Sequence, residues 1–323
     1  MQALVCDQWG GPELLRLQEL PAPTPGAGEV SIRVRAASLN FPDLLMIQNK
    51  YQAQPALPFV PGAEVAGEVL EVGAGVSHLK PGMPVAALCG TGGFAEQCVV
   101  KADLVMPLPP GTPMPLAASL ALAFGTSWHA LRDRAALQAG ETVLVLGAAG
   151  GVGLAAVGIA KALGARVLAA VSSDAKAEAC RRQGADAVLV YPRDELRAAV
   201  KAFSASGIDV VFDAVGGALA EPAFRSIAWR GRYLVIGFAS GEIPALPWNL
   251  PLLKGASVMG VFWGEFARRE PRRNAEGIAE LLGWIGEGRL KPEISKVYPL
   301  AQAAQAFIDM AERRVVGKVV IAP

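Results

Sequence analysis

Two histidines and four cysteines are all the imidazole and thiol metal ligands that 323 residues provide. Cys6, Cys89, Cys98 and Cys180 are scattered without paired spacing, which argues against a disulfide framework and a metal knuckle. Small buried hydrophobes are the simpler reading of all four. His78 and His129 lie far apart in sequence. Charge is scarce too: charged residues make up 18% and sum to a net +1, so nothing electrostatic argues for nucleic acid or an anionic membrane as partner. No internal repeat or low-complexity segment is present. Met1 to Cys6 is apolar but short, lacks a basic flank and runs into Asp7, so no signal peptide is expected and the cytoplasm is the expected location. What is plentiful is apolar material, at 52%, and glycine, at 36 residues. A chain of this length is expected to hold two domains, and it carries enough apolar residues for two cores.

The glycines cluster most tellingly in residues 143 to 160, VLVLGAAGGVGLAAVGIA, which hold no charged side chain. An uncharged run of about 18 residues can span a bilayer. Five glycines weaken that reading, at roughly 1 kcal/mol each relative to alanine in a helix, and Lys161 and Arg166 follow at once. A strand, Val143 to Leu146, a turn carrying Gly147, Gly150, Gly151 and Gly153, and a helix, Val152 to Leu163, fit better. Gly164 then stops the helix, and Arg166 to Val171 supplies a second strand. In such a βαβ unit, Ala149, Gly150, Gly151 and Val152 bring backbone N–H groups and the positive end of a helix dipole to a pyrophosphate.

Which dinucleotide is bound turns on what ends the second strand. An acidic residue there takes the ribose 2′-hydroxyl of NAD, whereas small polar and basic residues leave room for a 2′-phosphate. Ser172, Ser173 and Lys176 can donate to a phosphate. Asp174 lies near the acidic slot, but Ser-Ser-Asp also reads as the start of a helix over 174–183, with Asp174 favouring its dipole. The reading preferred here is NADPH.

Organisation along the chain runs from β-type to α/β-type and back. In the first hundred residues Val30, Ile32 and Val34 alternate with Ser31, Arg33 and Arg35, and short apolar runs are punctuated by Gly and Pro. From about Leu120, strands at 142–146, 166–171, 187–190, 208–212, 233–237 and 257–261 alternate with helical stretches, enough for a doubly wound parallel sheet. The tail carries a helix over 275–286, a strand over 295–298, a helix over 301–313 and a last strand over 318–321, and is expected to return to the first domain.

The segments SLNFPDLL (38–45), LPFVPGAEVAGEV (57–69), GGFAE (92–96), GTSWHAL (125–131), the glycine segment 143–165 and GKVVI (317–321) together resemble the medium-chain dehydrogenase/reductases, and within them the zinc-free, zeta-crystallin-like quinone oxidoreductases. The resemblance covers essentially the whole chain. It implies an α/β fold, with a GroES-like β-rich catalytic domain formed by both ends (1–120 and 266–323), a Rossmann NADPH-binding domain between them (121–265), and an active cleft where the two meet. It also implies cofactor contacts from Tyr191, Gly237, Phe238, Val261, Phe262 and Trp263, with Lys318 closing over the cofactor from the tail; a strand-edge charge is the alternative for Lys318. Gly217 follows Val215 and Gly216 in a turn able to approach the nicotinamide ribose. Similar proteins are often homodimers joined through an edge strand of the Rossmann sheet, here 257–261.

Zinc is the branch point within that family. In the resemblance, Asn40 stands where a cysteine ligand would lie and Ala63 precedes Glu64 where a histidine ligand would be, so no metal is expected. The expected chemistry is hydride delivery to an electron-poor small molecule, a quinone or an enone, with hydrogen-bond donors stabilising the developing oxyanion. Asn40 and Tyr51 are the candidate donors, and Thr126 matches a position beside the nicotinamide. Their plainer readings are a turn at Asn40, a half-buried ring at Tyr51 and a helix cap at Thr126. Two other functions stay open: an enoyl-thioester or alkenal reductase, for which Arg268, Arg269, Arg272 and Arg273 offer either a phosphate rim or merely a solvated helix start, and a non-catalytic, crystallin-like NADPH binder.

Overall fold

A computed structural model describes residues 1–191 and 193–323. Period-two alternation builds the first strands. β1 (Gln2–Val5) pairs antiparallel with β2 (Arg16–Glu19). β3 (Glu29–Leu39) buries Val30, Ile32 and Val34 and exposes Arg33 and Arg35. Ser31 departs from the expected alternation: it is buried beside a register shift, where its Oγ accepts the Glu71 N–H at 3.1 Å. After helix α1 (Phe41–Ile47) come β4 (Glu64–Val72), β5 (Pro84–Leu88), β6 (Gln97–Lys101), β7 (Val105–Pro107) and the short helix α2 (Met114–Ala117).

The helix that Thr126 was expected to cap is longer and less regular than the sequence suggests. α3 (Gly125–Trp128) is flanked by π-helical segments Leu120–Phe124 and His129–Arg134, a geometry that is rare and concentrated at functional sites. The alternating part follows as β8 (Thr142–Leu146), α4 (Gly151–Ala162), β9 (Arg166–Val171), α5 (Asp174–Arg182), β10 (Ala187–Val190), α6 (Leu196–Phe203), β11 (Ile208–Asp213), α7 (Ala220–Arg225), β12 (Ile227–Val235), α8 (Asn249–Lys254), β13 (Ser257–Gly260), α9 (Trp263–Arg269) and α10 (Pro271–Gly286). The tail closes with β14 (Ile294–Pro299), α11 (Ala303–Ala311) and β15 (Lys318–Ala322).

Six strands form one parallel sheet in the order β10-β9-β8-β11-β12-β13, the doubly wound arrangement. Central β8 is apolar from Val143 to Leu146 because both its faces are covered, and all four side chains are inaccessible to solvent. The second sheet runs β14-β15-β3-β4-β5-β7 with β6 on β3, so strands from both chain ends share it.

The chain divides into two units, Met1–Leu122 with Glu293–Pro323, and Ala123–Pro292. The return to the first unit was expected at 266 and comes at 293. The reason lies on α10: Gly277 lets the Trp128 indole press against the helix, where an added Cβ would lie 2.7 Å from it, and Trp128 Nε1 donates to Glu280 at 2.6 Å. Among the described residues no helix is long and apolar enough to cross a membrane. The uncharged run 143–160 is instead divided between β8 and α4.

Candidate active site

Between β8 and α4 the chain makes a cradle that side chains would fill. Gly147 has φ +70°, a left-handed conformation that glycine adopts without strain. A Cβ on Gly153 would lie 2.3 Å from the Gly147 carbonyl oxygen and 2.7 Å from Ala148 Cα. Gly150 caps α4 in an extended conformation, so the opening N–H groups of Gly151 and Val152 have no acceptor within the helix. Ala149 is buried beneath the turn. This cradle fits a pyrophosphate by shape, by donors and by helix dipole. Ser127 Oγ donates to Val152 O at 2.8 Å, tying α3 to the first turn of α4. Thr126 therefore sits on a helix fixed to the cradle, inside the helical run rather than at its cap.

The other residues expected around a dinucleotide follow the carboxyl ends of the neighbouring strands, along the edge where a doubly wound sheet holds its ligand. Ser172 and Ser173 follow β9, and Lys176 Nζ donates to Ser172 Oγ at 3.1 Å. Tyr191 follows β10, its N–H donating to Val171 O at 3.1 Å. Gly217 ends the turn after β11, with φ +58°. Gly237 and Phe238 follow β12, and Val261, Phe262 and Trp263 follow β13. Gly147 and the turn after β11 touch: a Cβ on Gly147 would lie 2.8 Å from Val215 Cγ2. Trp263 is buried, its indole against Gly125 and its Nε1 donating to Asn274 at 3.0 Å, while Phe262 is exposed.

Asp213, the last residue of β11, shapes that turn. Its Oδ1 accepts the N–H groups of Val215 and Gly216 at 2.8 and 2.9 Å, and its Oδ2 accepts the Tyr233 hydroxyl at 2.6 Å. Burial, with the Asp213 carboxylate beside it, pushes the Tyr233 hydroxyl far above its ordinary pKa, so Tyr233 stays a donor.

In the first unit a buried polar network joins three distant segments. Lys318 Nζ, at the start of β15, donates to Asn40 Oδ1 at 2.6 Å and to Glu64 Oε1 at 3.2 Å. The Asn40 amide nitrogen donates to Glu64 Oε1 at 3.0 Å and to Ser38 O at 3.1 Å. Glu64 Oε2 accepts the Leu122 N–H at 2.9 Å. Asn40, Glu64 and Lys318 are each nearly inaccessible to solvent. Both N–H groups of the Asn40 side chain are thus engaged, and the Lys318 ammonium faces Asn40 and Glu64. Tyr51 is half-buried against the core of this unit, and burial, then the Asp43 charge, raise its pKa.

Two family descriptions match the chain: Alcohol dehydrogenase GroES-like domain over residues 26–110 and Zinc-binding dehydrogenase over 151–280. Quinone oxidoreductase-like protein 2 of Bos taurus is 39% identical over 91% of this chain and 84% of its own length. The chain belongs to the quinone oxidoreductase family of the medium-chain dehydrogenase/reductases. Quinone oxidoreductase of Pseudomonas aeruginosa is 35% identical over 98% of this chain and 97% of its own. A quinone oxidoreductase from Thermus thermophilus, solved also in complex with NADPH, is 36% identical, with a TM-score of 0.86 over 100% of both chains. NADPH is the cofactor of this family and fits the glycine cradle; the α/β fold is the family's Rossmann sheet with a GroES-like β-rich part.

Zinc, which one of the family descriptions names, does not suit this quinone oxidoreductase homologue. Around Glu64 stand an amide and an ammonium rather than thiolate or imidazole, and among the described residues no group of three His, Cys, Asp or Glu side chains is placed to hold a metal.

Asp43, three residues after Asn40, is one chemical feature the sequence reading passed over. Its Oδ2 accepts the Asn40 backbone N–H at 2.8 Å, closing the first turn of α1. Complete burial raises its pKa to about 7, against the pull of that N–H bond and of Lys318. The sign follows from linkage: a carboxyl whose folded pKa is raised binds more protons folded than unfolded, so its contribution is most favourable below its unfolded pKa and is lost as pH rises towards 7. Urea unfolding of Asp43→Asn and wild type at pH 5 and pH 8 is expected to show the variant gaining on the wild type at the higher pH. A difference that does not change with pH counts against a titrating Asp43.

Proposed function

We propose that this NADPH-dependent oxidoreductase reduces quinones without a metal. The observation that carries the reading is the buried Asn40–Glu64–Lys318 network. It commits the local cation to Glu64 and Asn40, and the two Asn40 side-chain N–H groups to Glu64 and the Ser38 carbonyl, so this part of the chain offers nothing to activate an ordinary alcohol or ketone. An acceptor that is already electron-poor needs no such activation. The relatives named as quinone oxidoreductases support the same acceptor class.

When bound, NADPH supplies a hydride. Ala149, Gly150, Gly151 and Val152 hold the pyrophosphate with backbone N–H groups, and Ser172, Ser173, Lys176 and Tyr191 take the adenosine end. Gly217, Gly237, Phe238, Val261, Phe262 and Trp263 form the rest of the proposed cofactor edge. Thr126 is the proposed orienting hydroxyl for the nicotinamide. Tyr51, whose O–H stays protonated well above neutral pH, is the proposed donor to the oxygen that gains charge on the acceptor. Asn40 acts by positioning, because its N–H groups are taken. Lys318 belongs to the same support, since its ammonium faces inward to Glu64 and Asn40.

The enoyl-thioester alternative gains nothing from the arginines at the end of α9 and the start of α10. Arg268 and Arg269 share Glu265, and Arg273 pairs with Asp133, so three of the four arginines are engaged in local ion pairs. The deciding assay is NADPH consumption with an aromatic quinone and with a short enoyl-CoA, NADH being the parallel donor. Faster turnover of the quinone with NADPH is expected; preference for the enoyl-CoA overturns the reading, and no turnover with either favours a non-catalytic binder.

We also propose a homodimer through β13. This strand is an edge of the parallel sheet, and Val258 on it is exposed together with Trp229, Leu252 and Leu253. Sedimentation is expected to give twice the chain mass for the wild type and the single chain mass for Val258→Lys; a monomeric wild type removes the proposal.

A further inference from the structure

The proposed NADPH-binding edge contains an acid beside the serines and lysine assigned to the extra phosphate. Asp174 lies two residues beyond Ser172 and opens α5, the location in which a carboxylate accepts the ribose hydroxyls of NADH and repels a 2′-phosphate. The structure shows what restrains it. Arg193 Nη1 lies 3.2 Å from both carboxylate oxygens of Asp174. The guanidinium is itself oriented from behind: its Nε donates to Asp194 Oδ1 at 3.0 Å, and Asp194 Oδ2 accepts the Val190 N–H at 2.9 Å at the end of β10. Val190 and Val171 are register partners, so Arg193 and Asp174 stand at the carboxyl ends of adjacent strands.

We infer that Arg193 is a specificity-determining residue for NADPH over NADH: by binding the Asp174 carboxylate it denies NADH its acceptor and removes the repulsion that a 2′-phosphate would meet. Counted locally, Lys176 and Arg193 balance Asp174 and Asp194. Without Arg193 the same edge carries an excess negative charge next to a phosphate dianion. Both partners are largely exposed, at 62% and 75%, so the pair adds little to fold stability. Its effect is expected in nucleotide choice. The inference rests on NADPH as cofactor, and the wild-type titration below checks that independently.

The test is fluorescence titration of full-length wild type, Arg193→Ala, Asp174→Ala and the double variant with NADPH and with NADH, alongside melting temperatures. Arg193→Ala is expected to weaken NADPH about tenfold, the scale of one lost charge-assisted contact, and to bind NADH no more weakly than wild type because the Asp174 carboxylate is freed, with an unchanged melting temperature. Asp174→Ala is expected to keep NADPH within about threefold of wild type, and the double variant to match Asp174→Ala, because Arg193 has nothing left to mask. An unchanged NADPH-to-NADH ratio in Arg193→Ala overturns the inference, as does a double variant as weak as Arg193→Ala. Failure of the wild type to bind NADPH removes instead the cofactor reading on which it rests.

Discussion

A Lys318→Met variant is expected to lose about 3–5 kcal/mol of stability in urea unfolding, the usual consequence of removing one partner from a buried ion pair. Methionine fills much the same volume, so the loss reports charge rather than a cavity. It leaves the Glu64 carboxylate inside the first unit with the Asn40 amide and the Leu122 N–H as its remaining partners. The double variant Lys318→Met/Glu64→Gln separates the causes: with no buried charge left uncompensated, it is expected to recover most of the loss. A single variant within about 1 kcal/mol of wild type shows that the ammonium is dispensable to the fold, a result consistent with a position facing ligand instead.

Replacement of Gly153 is expected to have the largest effect on the cofactor. Even alanine places a carbon 2.3 Å from the Gly147 carbonyl oxygen, and that atom is backbone, so the turn rather than a side chain must move. Gly153→Val is expected to weaken NADPH by more than about a hundredfold in a fluorescence titration, because it displaces the opening N–H groups of α4 that are proposed to hold the pyrophosphate. Gly283→Ala provides the comparison. It lies within α10, meets nothing within 4 Å, and is expected to bind NADPH like the wild type while gaining roughly 0.5–1 kcal/mol in stability. Equal binding by Gly153→Val and wild type removes the cradle as the pyrophosphate site.

The glycine turn was legible because every force that shapes it is local. Strand, turn and helix lie close together in sequence, and β8, α4 and β9 appear within a residue of their expected bounds. The Asn40–Glu64–Lys318 network was not legible, since Lys318 is 278 residues from Asn40 and nothing in either segment names the other. One signal was available: Lys318 opens KVVI, whose next three side chains are buried, and a charge at the head of such a strand needs a buried partner. The π-helical segments around Thr126 also escaped, because an i to i+5 pattern is not distinguishable from ordinary helix over so few residues. Likewise α10 was assigned to the returning tail. Its attachment to the parallel-sheet unit depends on Gly277 admitting Trp128, a contact between helices far apart in sequence.

Lys318 bears on the order in which the newborn chain assembles. Residues 123–292 emerge complete while β14 and β15 are still being translated, so the parallel-sheet unit can finish folding first although it begins second. Until β15 leaves the ribosome, Glu64 lacks its counter-charge and β3 has only β4 and β6 as partners. A chain lacking β15 therefore leaves part of the β3 edge unpaired and the Glu64 carboxylate without its ammonium.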